Sequence, residues 1–295
     1  MAKIKNVGVI GGGLMGSGIA QVCAAAGFPT VVREMSEDLC AKSRSAIEKT
    51  LAKGIERGKV TTEERDKTIG NLRFATRLTD LAQSDVFIEA VVEDLTVKNA
   101  LWSELDKIAG QEAIFASNTS SLTIIAMATA SGRPDRMLGL HFFNPVPLMK
   151  LVEVVRTITT SDETERTAMD FVRALGKEPV RARDSSGFIV NLLLIPYMLD
   201  AITALESGVA SVEDIDKGMQ LGAGYPMGPF TLLDFVGLDT AYKIAEIMFA
   251  EYRDKRYAPP PLLRRMVLAG MLGKKSGKGF YDYSSNPPRA NALGL

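Results

Sequence analysis

The only histidine in this 295-residue chain is His141, set in the run Leu140-His141-Phe142-Phe143-Asn144-Pro145. If the protein moves a proton with an imidazole near neutral pH, this side chain must do it. Twelve residues on, Glu153 stands inside Leu151-Val152-Glu153-Val154-Val155, an alternating strand pattern. A lone carboxylate there costs on the order of several kcal/mol unless it is paired, and an imidazole is a physically attractive partner. A histidine beside two phenylalanines is also the composition of a satisfied core residue, and composition alone favours that reading. The surrounding elements decide between them.

Val7-Gly8-Val9-Ile10 is expected to be a strand buried on both faces, and Gly11-Gly12-Gly13-Leu14-Met15-Gly16 follows at once. Gly11, Gly13 and Gly16 have the spacing of a dinucleotide-binding turn, here followed by an Ala-rich helix over 17–26 whose first amides can face a diphosphate. Thr30-Val31-Val32-Arg33 reads as the second strand, and Glu34 ends it, 18 residues past Gly16. A carboxylate at that point accepts hydrogen bonds from an adenosine ribose and repels a 2′-phosphate, so NAD is the expected cofactor. NADP is the weaker fit, although Arg33 beside the site offers it a cation.

A long helix opens at Ser36 and carries Lys42, Arg44, Lys49, Lys53 and then Arg57 and Lys59, either a solvated face or a seat for an anionic tail. The strand within 85–94 ends in acids, where open parallel sheets bind ligands. Lys98 falls in the first turn of the next helix, a poor place for a cation unless something anionic or polar sits opposite. Asn118-Thr119-Ser120-Ser121 closes a strand over 114–117 with more polar groups than helix capping can use, and the strand over 137–140 delivers His141 to the same edge. With a helix over 161–175 and a strand over 179–183, the pattern is α/β: a doubly wound, Rossmann-type parallel sheet over residues 1–184. Residues 185–295 show helical periodicity and no convincing strands, a smaller all-helical domain. Phe188-Ile189-Val190-Asn191-Leu192-Leu193-Leu194-Ile195 is apolar round most of its circumference, and a homodimer would supply the packing partners it needs.

Composition excludes other classes. Lysine plus arginine and aspartate plus glutamate each number 35, so no whole-molecule charge points to nucleic acid or an anionic membrane. The longest apolar stretch falls short of the ~20 residues a spanning helix needs. Cys23 and Cys40, with one histidine, are too few for a disulfide framework or a metal site, so no metal is expected and the chain reads as cytoplasmic.

The runs GGGLMGSGIA (11–20), SNTSSL (117–122), HFFNP (141–145), KLVEV (150–154), GFIVN (187–191), PMGP (226–229) and GKKSGKGFY (273–281) occur in the order seen in short-chain L-3-hydroxyacyl-CoA dehydrogenases. The chain resembles that family along essentially its whole length, in the bacterial freestanding form that acts on 3-hydroxybutyryl-CoA. The resemblance implies NAD-dependent oxidation of an L-3-hydroxyacyl-CoA to the 3-ketoacyl-CoA in the fatty-acid metabolism class. His141 is then the general base, Glu153 the carboxylate that orients it, Ser120 a contact to the 3-hydroxyl, and Asn191 a reach from the helical domain. For the cofactor it implies Gly11, Gly13, Leu14, Met15 and Gly16 at the turn and Glu34 at the ribose. Glu93, Lys98, Ser120, Asn144 and Lys275 fall toward the nicotinamide half. Thr50 and Arg57 fall where the family contacts coenzyme A. Two rival readings remain: a dehydrogenase of a free hydroxy or sugar acid on the same scaffold, with no use for Arg57, and a non-catalytic NAD-binding structural protein.

Overall fold

Secondary structure follows local chemistry closely in this chain. A computed structural model describes residues 4–294; residues 1–3 and 295, at the outer ends of the two expected domains, lie outside the described residues. The described residues form two units, one ending at Phe188 and the other beginning at Ile189. The division does not fall directly after Asp184, because 184–188 is fastened to the first unit. Asp184 accepts from the amides of Ile124 and Ile125 at 2.7 Å each, Ser186 donates to the Ser121 carbonyl at 2.7 Å, and Phe188 is buried in the first unit's core.

The first unit runs β1 (Val7–Ile10), α1 (Leu14–Ala25), β2 (Thr30–Arg33), α2 (Glu37–Glu56), α3 (Thr62–Gly70), β3 (Leu72–Ala75), β4 (Val86–Glu89), α4 (Leu95–Asp106), β5 (Ile114–Ser117), α5 (Ile124–Ala128), β6 (Met137–Phe142), β7 (Leu151–Arg156), α6 (Asp162–Ala174) and β8 (Glu178–Arg183). The helices begin where capping chemistry dictates: Ser36 caps α2, Thr61 and Glu64 make a reciprocal capping box on α3, and Ser161 caps α6. The sheet order is β3-β2-β1-β4-β5-β6-β7-β8, with β1 to β6 all parallel. The chain therefore reverses its direction of travel between β1 and β4, the position where open α/β sheets bind nucleotides. The parallel pattern stops at β7, which runs antiparallel to β6, while β8 is parallel to β7. Apolar layers cover both faces: α1, α2 and α6 contribute Ile19, Ile47 and Val172 to one, and α4 and α5 contribute Trp102 and Met127 to the other.

The second unit runs α7 (Val190–Glu206), α8 (Val212–Ala223), α9 (Pro229–Val236), α10 (Leu238–Tyr252) and α11 (Pro261–Leu268), then a two-residue antiparallel ribbon of β9 (Tyr281–Asp282) and β10 (Arg289–Ala290). Its own core centres on Ile202, Phe230, Leu233 and Phe280. The apolar run at its start is not helical from Phe188: that residue sits at φ 49 and the helix opens at Val190. Nor is the run buried all round, since Leu193 is 60% exposed. Among the described residues, no helix is long and apolar enough to cross a membrane.

Candidate active site

The glycine turn is built as its spacing requires. Gly11 takes φ +89, and a Cβ on Gly16 would lie 1.7 Å from the Gly11 carbonyl oxygen, so helix and strand meet there only without a side chain. A Cβ on Gly13 would meet nothing within 4 Å. Gly13 is also the N-cap of α1, with no capping side chain and no acid in the first turn, so the amides opening at Leu14 and Met15 lack a local acidic partner. This is a fit for a diphosphate at a helix N-terminus. Glu34 leaves the end of β2 and accepts from the Gly12 amide at 2.6 Å, which fixes its carboxylate beside the turn.

Glu34 and the turn line an open cleft of about 400 Å³ that continues past Lys42, Ser43 and Thr50 to Asn144 and Pro147. Thr50 and Asn144 are thus gathered with the cofactor residues. Arg57 is not: it caps the C-terminal end of α2 and does not line this cleft. Of the remaining basic run, Arg44 lies over the Phe74 ring at 4.7 Å. Arg33 points its Nε to the Thr76 carbonyl at 3.1 Å.

His141 closes the parallel part of the sheet. It pairs directly with Glu153 across the antiparallel β6–β7 ladder, which puts both side chains on one face. Nδ1 is 2.6 Å from Glu153 Oε2, with Glu153 0% and His141 4% exposed. A carboxylate only accepts, so the shared proton belongs to Nδ1 and the lone pair is left on Nε2. Ser120 Oγ lies 3.0 Å from that nitrogen. The Phe143 and Phe188 rings flank the imidazole at 4.5 and 5.5 Å between centroids.

The polar run that carries Ser120 is held from several sides. The Phe142 amide donates to Asn118 Oδ1 at 2.9 Å, Thr119 Oγ1 donates to Glu93, and Glu93 also accepts from the Ser120 amide at 3.3 Å. None of these side chains caps α5; Asp184 does so from the end of β8. Lys98 answers the question its position raises, with Nζ 2.6 Å from Glu89 and 3.1 Å from Glu93. Burial opposes ionisation of Glu93, but Lys98, the Thr119 hydroxyl and the Ser120 amide together hold its carboxyl below the ordinary value. Sequence reasoning missed Glu89, although an acid ending the apolar run Val86-Phe87-Ile88 poses the same pairing problem as Glu153. It also missed Asp184 as a cap, for which no local signal exists.

Two predicted residues belong to the second unit. Asn191 lies in the first turn of α7, and Lys275, in the turn after α11, donates to Asp239 Oδ2 at 2.8 Å.

Comparison with known proteins gives the family. The 3-hydroxyacyl-CoA dehydrogenase NAD binding domain matches residues 6–185, and the 3-hydroxyacyl-CoA dehydrogenase C-terminal domain matches residues 187–283. The chain is 51% identical over 282 residues to a 3-hydroxybutyryl-CoA dehydrogenase of Mycobacterium tuberculosis, covering 95% of this chain and 99% of the relative. It is 50% identical over 289 residues to the human mitochondrial hydroxyacyl-coenzyme A dehydrogenase, covering 95% and 91%. The crystal structure of M. tuberculosis FadB2 superposes with a TM-score of 0.94 at 51% identity, covering 96% of this chain and 100% of that one.

Proposed function

The chain belongs to the 3-hydroxyacyl-CoA dehydrogenase family, and from that premise we propose how its own residues carry out the reaction. The protein is an NAD-dependent oxidoreductase that interconverts 3-hydroxyacyl-CoA and 3-ketoacyl-CoA. The substrate is the L isomer with a short acyl chain, such as 3-hydroxybutyryl-CoA. The observation that carries the mechanism is the continuous hydrogen-bonded line Ser120–His141–Glu153 at the ligand-binding edge of the sheet.

Glu153 holds the proton on Nδ1 and aims the ring. Nε2, beside the Ser120 hydroxyl, is then the base that takes the proton of the 3-hydroxyl, and Ser120 places that hydroxyl within its reach. In reduction the same imidazolium returns the proton to the ketone. Glu153 steadies the charged ring in either direction, because a buried carboxylate against an imidazolium acts in a poorly screened environment. Bound NAD supplies the acceptor for the hydride leaving C3. Its diphosphate is held by Gly11, Gly13, Leu14, Met15 and Gly16 and its ribose by Glu34; Glu93, Lys98, Ser120, Asn144 and Lys275 serve the nicotinamide half. Thr50 and Arg57 take the coenzyme A part, Asn191 is a further substrate residue by family resemblance, and the second unit serves dimerisation.

Exposed Ile189 and Leu193, four residues apart at the start of α7, support a homodimer in which a second copy covers this apolar stripe. The free, buried Cys23 and Cys40 suit the cytoplasm. NADH formation is to be followed by absorbance with 3-hydroxybutyryl-CoA and with free 3-hydroxybutyrate. Activity on the thioester and little on the free acid is the expected result, and equal rates on both would replace this reading with a free hydroxy-acid dehydrogenase. Light scattering at micromolar concentration checks the dimer.

A further inference from the structure

Glu89 has no role in the scheme above, yet it is one of the most buried acids beside the site, 0% exposed at the C-terminal end of β4. Its Oε1 accepts from Lys98 Nζ at 2.6 Å and from the Val91 amide at 2.8 Å, and its Oε2 accepts from Ser117 Oγ at 2.6 Å. Three donors converge on one carboxyl, an arrangement suited to a carboxylate, which has no proton of its own to place. Lys98, 1% exposed, is shared with Glu93 at 3.1 Å. One ammonium between two carboxylates leaves one net negative charge, on a cluster in which Glu89 and Lys98 are buried and Glu93 is partly exposed, tied through the Ser120 amide to the residue that meets His141.

A fold that needed only to neutralise Lys98 would stop at one carboxylate. The second makes the cluster an anion, and a largely buried anion acts on nearby charge with less screening than one in water. The nicotinamide ring is cationic in NAD and neutral in NADH, so an anionic cluster near it discriminates between the two.

We propose that Glu89 is a positioning residue that acts through Lys98 and Glu93, setting the cluster's charge so that the site favours the oxidised cofactor over the reduced one. The inference rests on the reading that Glu93 and Lys98 serve the nicotinamide half. A purely structural Glu89 would change stability, and would weaken both nucleotides alike if it changed binding at all.

The test is calorimetric titration of NAD and of NADH into the unmodified protein and into Glu89→Gln, Glu89→Asp and Glu89→Ala. One unit charge acting over about 10 Å at an effective dielectric constant of about 20 changes an equilibrium roughly tenfold. Glu89→Gln should therefore raise the ratio of the NAD to the NADH dissociation constant about tenfold, or about 30 mV for a two-electron couple. Glu89→Asp keeps the charge and should leave the ratio near that of the unmodified protein. An unchanged ratio in Glu89→Gln, or the same shift in Glu89→Gln and Glu89→Asp, overturns the proposal. If Glu89→Gln does not fold, Glu89→Ala decides: it removes the same charge without an amide to pack, so its ratio should also rise about tenfold, and an unchanged ratio refutes the inference. An unmodified protein that binds neither nucleotide would fail the cofactor reading instead; one that binds both while ignoring Glu89 fails this inference alone.

Discussion

His141 and Glu153 are directly opposed residues of the antiparallel pair β6–β7, with Nδ1 and Oε2 2.6 Å apart and the carboxylate fully buried. The backbone ladder, rather than side-chain flexibility, sets their approach. Because no second histidine exists to substitute, His141→Gln should lower turnover by about 10²–10⁴-fold while leaving NAD affinity intact. Steady-state rates beside a nucleotide titration check this, and near-normal turnover would refute the assignment.

Two glycines of the turn should fail differently. Gly16→Ala puts a methyl 1.7 Å from the Gly11 carbonyl oxygen, so the backbone must move, at a cost of roughly 1–3 kcal/mol or more. Gly13→Ala meets nothing in the protein within 4 Å and should fold normally, but it places a methyl where the diphosphate is expected. Thermal melting should drop for the first and hold for the second, while NAD affinity should fall for both.

Cofactor choice turns on Glu34 and Arg33. The first is pinned to the Gly12 amide at 2.6 Å and the second gives its Nε to the Thr76 carbonyl, so a 2′-phosphate meets a fixed anion beside the turn. Like charges in contact cost several kcal/mol, so kcat/KM should be at least about a hundredfold lower with NADP than with NAD. Glu34→Ala should narrow the gap by losing NAD and gaining NADP. A comparison of the two cofactors on both proteins reads this out.

Acid should loosen the first unit through Glu93. Its carboxyl ionises more readily in the folded protein than in the unfolded chain, because Lys98, Thr119 and the Ser120 amide outweigh its burial. Its contribution to stability is therefore complete above the unfolded value of about 4.3 and is lost as pH falls through the lower folded value. Urea unfolding across that window should show a shallower loss of stability in Glu93→Gln than in the unmodified protein.

Much of the architecture was readable locally. The glycine spacing, the acid after β2, the Ser36 and Ser161 caps and the Thr61–Glu64 box depend on contacts within a few residues or on one short supersecondary unit, which spacing and residue type encode. With one histidine in the chain, residue count alone named the candidate base, and the isolated acid in 151–155 named its candidate partner. The family-bearing motifs then implied the reaction.

The tertiary structure decided the rest. Periodicity does not report strand direction, so the reversal at β7 and the register opposing His141 to Glu153 could come only from the assembled sheet. Glu89 sits in β4, Lys98 in α4 and Ser117 in β5; Asp184 ends one strand and caps a helix about sixty residues earlier. Phe188 lies in a left-handed conformation against the His141 ring, where helical periodicity read the start of a helix. In each case the deciding interaction joins elements distant in sequence. Buried charges and amides must find partners once water is excluded, and only the packed fold determines which groups are close enough to serve.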